Sequence, residues 1–527
     1  MLGHGERQAR ATDVSVLETW EGRPLVRKDS IYYALSQADD IFRDDLFSGC
    51  YASCGRPSVR PSLLIKVMLL QFFDNVSDRE AEQRALYDIR WKKALGVPLG
   101  ESGFDYSLLS KFRTRLLFNR KERLIFDTIL DVATSRGLVP KGFAKQIIDS
   151  TCTFGAGAVQ DTYTLITKAI RKALHELGGR LGIRLKDLNI DYGSKSKIKI
   201  DWNNSSEREI VLNMLHQDAE KIIAAAQSLQ LSEEEAGLLD LLSMVTSQDI
   251  EQNDDGTVKI KKGVAKDRVI STTDPDMRHG RKSNSRLFDG YKTHSTEEKE
   301  TEFITGVEVT AGNAHDSEAV SPLLDSQPVA RRPEELSGDG AYGTGANRKD
   351  MKERKILLIS PVPEPSGRDG CYPKSMFGID IENETCQCPA GEYAQEEIHD
   401  KKTGELKVFL FSEKQCNNCP FRDQCTKNKK GRRTITINKH EKYLQEGRAF
   451  QETEKYQTEY PERCKIERKQ SEMVRHGLRK ARYIGLAKVR LQALFIAALV
   501  NMKRYWKLLN QQDVEENSTV KPLFSTA

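Results

Sequence analysis

Apolar positions recur at helical spacing in the first part of the chain. Over Pro61–Phe73 they follow a period near 3.6 residues, which predicts a helix that begins at the proline. A second helix is predicted after Ser77, an N-cap candidate with Glu80 as its capping-box partner. A third helix is predicted over Ser107–Leu117.

The third predicted helix carries basic residues, including Lys111 and Arg113. Small helices that end in a basic one often form a DNA-binding domain, and equally often a helical domain without that role. We predict a helical N-terminal DNA-binding domain over residues 1–140, in which the side chains of Lys111 and Arg113 contact the DNA.

Short apolar runs in the second part of the chain predict buried strands. They cover Gln146–Thr151, Gly290–His294, Phe303–Thr310 and Ile356–Val362, and Glu335–Gly343 is a further strand-end candidate that carries an acid. A mostly helical pattern, Thr164–Val245, lies between the first two runs. The predicted fold class is therefore α/β.

Two carboxylates share one setting in this pattern. Asp149 and Asp339 each follow a short apolar run and precede small or hydroxylic residues. Brought together at neighbouring strand ends, they would suit Mg²⁺, which prefers oxygen ligands and leaves positions open for phosphates. A single aspartate at a strand end more often makes a turn or a cap.

A third acid is found in the basic C-terminal part. Tyr460, Arg463 and Glu467 are spaced i, i+3 and i+7, which on one helix places them within about 60° of each other. Such a face would suit a helix that lies against DNA, because Arg binds phosphates in a bidentate manner. An exposed helix with an Arg463–Glu467 ion pair has the same spacing.

These segments together resemble the bacterial insertion-sequence DDE transposases, which have a ribonuclease-H-like catalytic core. The resemblance rests on Ile148–Thr151, Phe288–His294, Val309–Ser317, Gly338–Gly343, the Tyr460-x2-Arg463-x3-Glu467 signature, Gly477–Leu486 and Asn501–Arg504.

The resemblance implies that Asp149, Asp339 and Glu467 bind two Mg²⁺ or Mn²⁺ ions and that Tyr460 and Arg463 position DNA. It implies a homodimer that cleaves DNA at the element's terminal inverted repeats and joins the freed 3′-hydroxyls to target DNA. The alternatives are a catalytically inactive DNA-binding regulator and a ribonuclease-H-like nuclease without strand joining.

One position departs from the family pattern. The family's signature often has Lys seven residues after the Glu, where this chain has Val474 followed by Arg475. The adjacent guanidinium could still reach a phosphate.

Three further polar residues lie near the motifs. His315 and Asp316 look like a catalytic pair, but their loop setting favours a capping or structural role. Glu472 lies roughly 140° around a helix from Glu467, so the two cannot readily face one metal.

Two strand residues are also assigned to DNA or to support of the site. Lys292 and His294 share one strand face, since side chains alternate along a strand. Structural packing is the alternative for both.

Cysteines cluster between Asp339 and Glu467. Cys386-x-Cys388 is followed by Cys416-x2-Cys419 and Cys425, and such close pairs resemble zinc-knuckle turns. The predicted structural Zn²⁺ ligands are four of these five, namely Cys388, Cys416, Cys419 and Cys425. An iron–sulfur cluster and metal-free thiols are the alternatives.

Composition narrows the class of protein. Of the 527 residues, 30% are charged and 7% aromatic, and ten are cysteine, which excludes a disordered chain and a disulfide scaffold. The longest apolar run, Leu491–Val500, is too short to span a bilayer, and the first residues lack a signal-peptide pattern. We therefore expect a cytoplasmic protein without membrane contact, associated with the nucleoid when it is bound to DNA.

The net charge of +5 is uneven along the chain. Thr426–Arg490 holds 19 Lys and Arg against 8 Glu, a net of +11, so the remaining residues sum to −6. This concentration indicates double-stranded DNA as the partner. The basic residues assigned to DNA in this segment, besides Arg463, are Arg468, Lys469, Arg475, Arg479, Lys480 and Arg482.

The predicted domain order follows from these segments. After the N-terminal domain come a first core part over 141–370 with a helical insertion at about 165–260, a cysteine-rich insertion over 371–438, core helices with the third acid over 439–510, and a tail over 511–527.

Overall fold

A computed structural model provides the coordinates of the chain. It describes residues 19–20, 23–52, 58–139, 143–193, 198, 200–283, 285–362, 370–399, 407–429 and 431–519. The beginning of the predicted N-terminal domain and the end of the predicted tail lie outside these residues.

The described residues form helices and strands in alternating blocks. The α-helices are Ile31–Ser36, Pro61–Phe73, Asp78–Tyr87, Ile89–Leu95, Ser107–Phe118, Leu124–Ser135, Thr162–Leu177, Ser205–Ala226, Glu233–Ser247, Val320–Asp325, Gly345–Glu353, Glu413–Asn417, Arg422–Cys425, Glu441–Gln451, Glu454–Glu459, Lys465–Met473 and Leu486–Thr519. The strands, β1 to β15 in chain order, are Thr19–Trp20, Arg23–Pro24, Lys145–Phe154, Ile250–Gln252, Val258–Ile260, Arg278–Ser283, Arg286–Glu298, Ile304–Ala311, Glu335–Ser337, Leu357–Ile359, Gly378–Asp380, Thr385–Gln387, Glu396–His399, Lys407–Leu410 and Thr434–Ile437.

The three predicted N-terminal helices are confirmed. The Ser77 side chain accepts a hydrogen bond from the Glu80 N–H and so caps the second of them. Arg113 on the third is buried and paired with Asp78, and its guanidinium lies 4.7 Å from the centre of the Tyr483 ring. Its assignment to DNA is therefore wrong: the side chain joins the N-terminal helices to the C-terminal segment. Lys111 on the same helix is exposed.

A mixed sheet forms the centre of the molecule. Its order is β10-β9-β3-β7-β6, with β8 also paired to β7. The pairs β10–β9 and β9–β3 are parallel, and the pairs of β7 with β3, β6 and β8 are antiparallel.

The helical insertion has its own apolar core. This core extends from Tyr163 to Val269 and packs helices Thr162–Leu177, Ser205–Ala226 and Glu233–Ser247 together. The predicted mostly helical pattern is interrupted over residues 178–204, where the described residues form short 3₁₀ turns and loops. The glycines that follow Leu177 end the first helix.

The long C-terminal helix joins the N-terminal helices to the sheet. Leu486–Thr519 packs on β8 and on the helices that begin at Pro61 and Leu124, within one apolar core. Gln492 is the polar residue in the helix's apolar run. It can be buried there because its side-chain amide donates to the Gly477 and Lys480 carbonyls. The helix continues into the segment that was assigned to the tail.

The cysteine-rich segment forms a small module of its own. Strands β11 to β15 enclose a core of the buried residues Phe377, Cys386, Phe409, Phe411, Ile435 and Ile437.

None of the helices in the described part of the chain combines the length and the apolar character needed to cross a membrane.

Candidate active site

The strand register places the first two predicted acids level with each other. Strands β3 and β9 are parallel, and Ile147 pairs with Ser337. Asp149 and Asp339 each lie two residues beyond that pair. Because parallel strands run in the same direction, both carboxylates lie at the same level, where β9 has ended and β3 continues to Phe154.

Asp149 lies in a partly buried and negatively charged environment. Burial raises its pKa to about 6; the Ser150 N–H and Arg463 lower it, and the charges of Asp339 and Glu467 raise it. The three predicted acids are thus close enough for the charges of two of them to act on the third. Concentrated negative charge in a partly buried cleft is typical of a functional site.

The Tyr-Arg-Glu signature does not lie on one regular helix. Residues Tyr460–Cys464 form a 3₁₀ turn, and Glu467 lies in the first turn of helix Lys465–Met473. Arg463 still faces the aspartates, since its charge acts on Asp149. Its guanidinium lies 5.7 Å from the centre of the Tyr460 ring.

The acids are not arranged as a closed metal site. Among the residues that the structure describes, no three His, Cys, Asp or Glu side chains are positioned to hold a common ion. The donors nevertheless have the chemistry that Mg²⁺ prefers, since all are carboxylates.

A polar network lies behind Asp149. Lys292 donates to a carboxylate oxygen of Asp316 at 2.6 Å and to the Ala314 carbonyl, and the Ser150 hydroxyl donates to the other oxygen at 2.8 Å. Asp316 was predicted to be a capping or structural residue. The local sequence pattern does not indicate its contact with Lys292, because the two residues are 24 positions apart in the chain.

His294 belongs to the same buried region. It has no exposed surface, and its Nε2 lies 2.9 Å from the Thr310 hydroxyl. Its assignment to DNA phosphates is therefore wrong, whereas the alternative of structural support agrees with its position. Lys292 is largely buried in its ion pair with Asp316.

Two basic residues after Glu467 bind carboxylates within the protein. Arg468 is exposed and pairs with Glu302 at 2.8 Å. Lys469 is buried and lies 3.4 Å from Glu472, so its assignment to DNA is wrong.

The remaining predicted DNA residues differ in accessibility. Arg475 and Lys480 are exposed. Arg479 donates to the Cys152 carbonyl at 3.1 Å. Arg482 donates to the Asn75 side chain at 2.6 Å and packs over the Phe72 ring, so it links the C-terminal segment to the N-terminal helices.

A buried carboxyl that the sequence did not indicate lies beneath helix Lys465–Met473. Glu297 on β7 has no exposed surface, and neither of its side-chain oxygens has a hydrogen-bond partner. Burial raises its pKa to about 8, with Lys469 lowering and Glu302 raising it. The protonated form is therefore favoured in the folded protein.

This environment predicts a pH-dependent effect of Glu297→Gln. Because the folded-state pKa is above its ordinary value, the carboxyl costs no stability at low pH and destabilises the fold as pH rises toward and through 8. We expect the glutamine variant to gain about 2 kcal/mol or more in unfolding free energy at about pH 9 and little at about pH 5, measured by urea denaturation. Glu300→Gln, an exposed neighbour, is the control, and an equal gain at both pH values would contradict the prediction.

The four cysteines that were predicted as zinc ligands line one small cavity. Its volume is about 30 Å³, and its lining includes Cys388, Cys416, Cys419 and Cys425. The pKa of Cys425 is raised to about 11. Burial is the main cause, the other three thiols add to the rise, and the charge of Arg433 opposes it.

Comparison with known families gives two matches. A family model described as Transposase DDE domain matches residues 387–506, and one described as Transposase domain (DUF772) matches residues 21–115. These two matches indicate an insertion-sequence DDE transposase. The family that the sequence motifs predicted is thereby confirmed. Comparison with curated proteins and with solved structures gives no match.

The two matches cover different parts of the transposase. The DDE match contains Glu467 and the four cavity cysteines, and it begins after Asp149 and Asp339. The second match covers the helices that precede the sheet. Membership of this family supports enzymatic action on DNA and the use of divalent metal ions.

Proposed function

We propose that this transposase binds the terminal inverted repeats of its own element as a homodimer, cleaves DNA at the element ends and joins the freed 3′-hydroxyls to target DNA. The observation that carries the proposal is the level placement of Asp149 and Asp339 with Glu467 in electrostatic range. A site of three carboxylates beside a guanidinium suits phosphodiester chemistry.

The fold assignment is part of this proposal. A central strand that is antiparallel to one neighbour and parallel to the other, with acids on the central strand and just after the parallel one, supports a ribonuclease-H-like core. The helical insertion then lies between the first two core strands, β3 and β7, and the cysteine module lies between the second and third acids.

The proposed magnesium ligands are Asp149, Asp339 and Glu467. Bound Mg²⁺ supplies activation of the attacking water or 3′-hydroxyl and stabilisation of the leaving oxygen. Arg463 is placed to orient the phosphate, because its charge acts on Asp149 and its planar fork suits bidentate binding. Tyr460 stacks on Tyr456 with ring centres 5.1 Å apart, which holds the tyrosine in place beside Arg463.

We propose a structural Zn²⁺ in the cysteine module. The four thiols that line one small cavity have the number and type of ligand that structural zinc prefers, although no three of them are positioned to hold a common ion in the described structure. Cys386 is the less suitable ligand because it lies in strand β12 and packs in the module's apolar core. Cys388 lies in the turn after that strand, where its N–H bonds to the Glu392 carbonyl.

The test of the proposed function uses duplexes that carry the inverted repeats flanking the gene. In Mg²⁺ the wild-type protein is expected to release 3′-hydroxyl ends and to join precleaved ends to a second duplex, and chelation should stop both. Cleavage without joining would identify a nuclease. Specific binding without cleavage would identify an inactive regulator and overturn the proposal.

A further inference from the structure

One edge of strand β3 has a stretch beside the proposed active site that no described strand pairs with, here called the notch. On the side away from β7, β9 pairs with β3 only as far as Ile147. Farther along that edge, Phe154 donates its N–H to the Arg479 carbonyl and accepts a hydrogen bond from the Ala481 N–H. No described strand pairs with the edge between these two contacts, and Asp149 lies near its first end.

The length of this notch corresponds to a short stretch of duplex. Asp149 and Phe154 are five residues apart, which in a strand is about 17 Å. Each base pair adds 3.4 Å along the DNA axis. A duplex that has its scissile phosphate at Asp149 and follows this edge therefore reaches Phe154 about five base pairs away.

A β-hairpin closes the far end of the notch. Strand β7 pairs with β3 as far as Gly290 and then continues with β6 as a hairpin. Gly290 has φ +148°, and a Cβ there would collide with the backbone of Thr153 and Gly155. The base of the hairpin thus lies directly against the end of β3.

Cations from three segments surround Cys152 in the middle of the notch. Burial raises the pKa of its thiol, and the charges of Lys282, Arg479 and Lys292 oppose that rise. Lys292 is neutralised by Asp316 at 2.6 Å. Arg479 is bonded only to the Cys152 carbonyl through its guanidinium, so its charge remains available to a phosphate.

The hairpin cations are not neutralised within the protein. Lys282 and Arg286 are exposed, and no carboxylate in the described part of the chain forms an ion pair with either. Lys480, on the opposite wall, is exposed in the same way. The proposed magnesium ligands at one end and unpaired cations at the other fit a polyanion that lies along the notch.

We propose that hairpin β6–β7 and segment 479–481 hold the element-end duplex by its phosphates about five to nine base pairs from the scissile phosphate, with Lys282 and Arg286 as the hairpin contacts. The inference takes its substrate from the proposed function. It adds a second DNA contact formed by an element outside the basic C-terminal segment.

The test measures binding of the full-length protein to a duplex with the flanking repeat and to one of arbitrary sequence, over a range of salt concentrations. We expect Lys282→Ala with Arg286→Ala to weaken both complexes about tenfold or more and to lower the slope of log affinity against log salt by about two, because each phosphate contact contributes about one. Hydroxyl-radical footprints should lose protection about five to nine base pairs from the cleavage site and keep it at the site itself.

Two matched variants separate this effect from a general loss of charge or of folding. Lys168→Ala with Lys186→Ala removes two exposed cations of the helical insertion and should leave the slope unchanged. Lys282→Arg with Arg286→Lys should retain it. A hairpin double-alanine variant with wild-type affinity and slope overturns the inference. Wild-type binding without cleavage would instead overturn the proposed function and leave the hairpin contact intact.

Discussion

Asp149→Asn is expected to reduce cleavage of element ends by about 10³-fold or more while DNA binding is retained. The substitution removes a charged oxygen of the proposed metal-ligand set from the partly buried carboxylate cluster. A loss of about 4 kcal/mol in transition-state stabilisation, within the range for metal-assisted charge stabilisation, corresponds to that factor. The measurement is single-turnover cleavage of a labelled repeat duplex in Mg²⁺, with affinity measured in parallel.

The fold should tolerate this change. The carboxylate pays a cost for burial, which is why the pKa of Asp149 is raised, and a neutral amide of the same size avoids that cost. We therefore expect thermal stability equal to or above that of the wild type. An Asp149→Asn protein that cleaves at a rate within tenfold of the wild type would remove Asp149 from the catalytic set.

The third acid can be tested by a matched pair. Glu467→Gln should act like Asp149→Asn. Glu462→Gln, in the preceding 3₁₀ turn, removes a carboxylate that pairs with Lys465 and should leave cleavage unchanged.

The sequence predicted the strand that bears Asp149 because an apolar run with an acid near its end is a local pattern. It could not show that Asp339 would be level with Asp149, since this depends on the pairing of β3 with β9, whose paired residues are 190 apart along the chain. The Tyr-Arg-Glu spacing was expected on one helix, but Tyr460–Cys464 form a separate 3₁₀ turn, in which Pro461 has no N–H to donate to a preceding turn.

The basic residues were the least predictable part of the site. Arg113 and Lys469 look like surface cations in the local pattern, yet each is buried against a carboxylate. Asp78, the partner of Arg113, lies on another helix 35 residues earlier. Such pairs arise from tertiary packing, so charge counts locate a basic region but not the side chains free to bind DNA. Lys282 shows the converse: it lies outside the basic segment, and only the strand pairing places it in the hairpin beyond the end of β3.

Cys416→Ser is expected to release zinc from the purified transposase and to unfold the cysteine module. Structural zinc contributes on the order of 10 kcal/mol to small domains, and this module has only a small apolar core. The wild type should contain one zinc per chain by elemental analysis, and the variant should contain none and be cut rapidly by protease within residues 371–438.

Two further cysteine variants decide the ligand set. Cys464→Ser changes an exposed free thiol outside the module and should leave both zinc content and protease resistance unchanged. Cys386→Ala, at the neighbouring buried cysteine, should retain zinc because its side chain packs in the apolar core, although the lost packing should lower stability. Loss of zinc in this variant and its retention in Cys388→Ala would exchange the two residues as ligands. If the wild type contained iron and absorbed visible light, the site would hold an iron–sulfur cluster and not zinc. A wild type that is metal-free and still protease-resistant would contradict a metal site altogether.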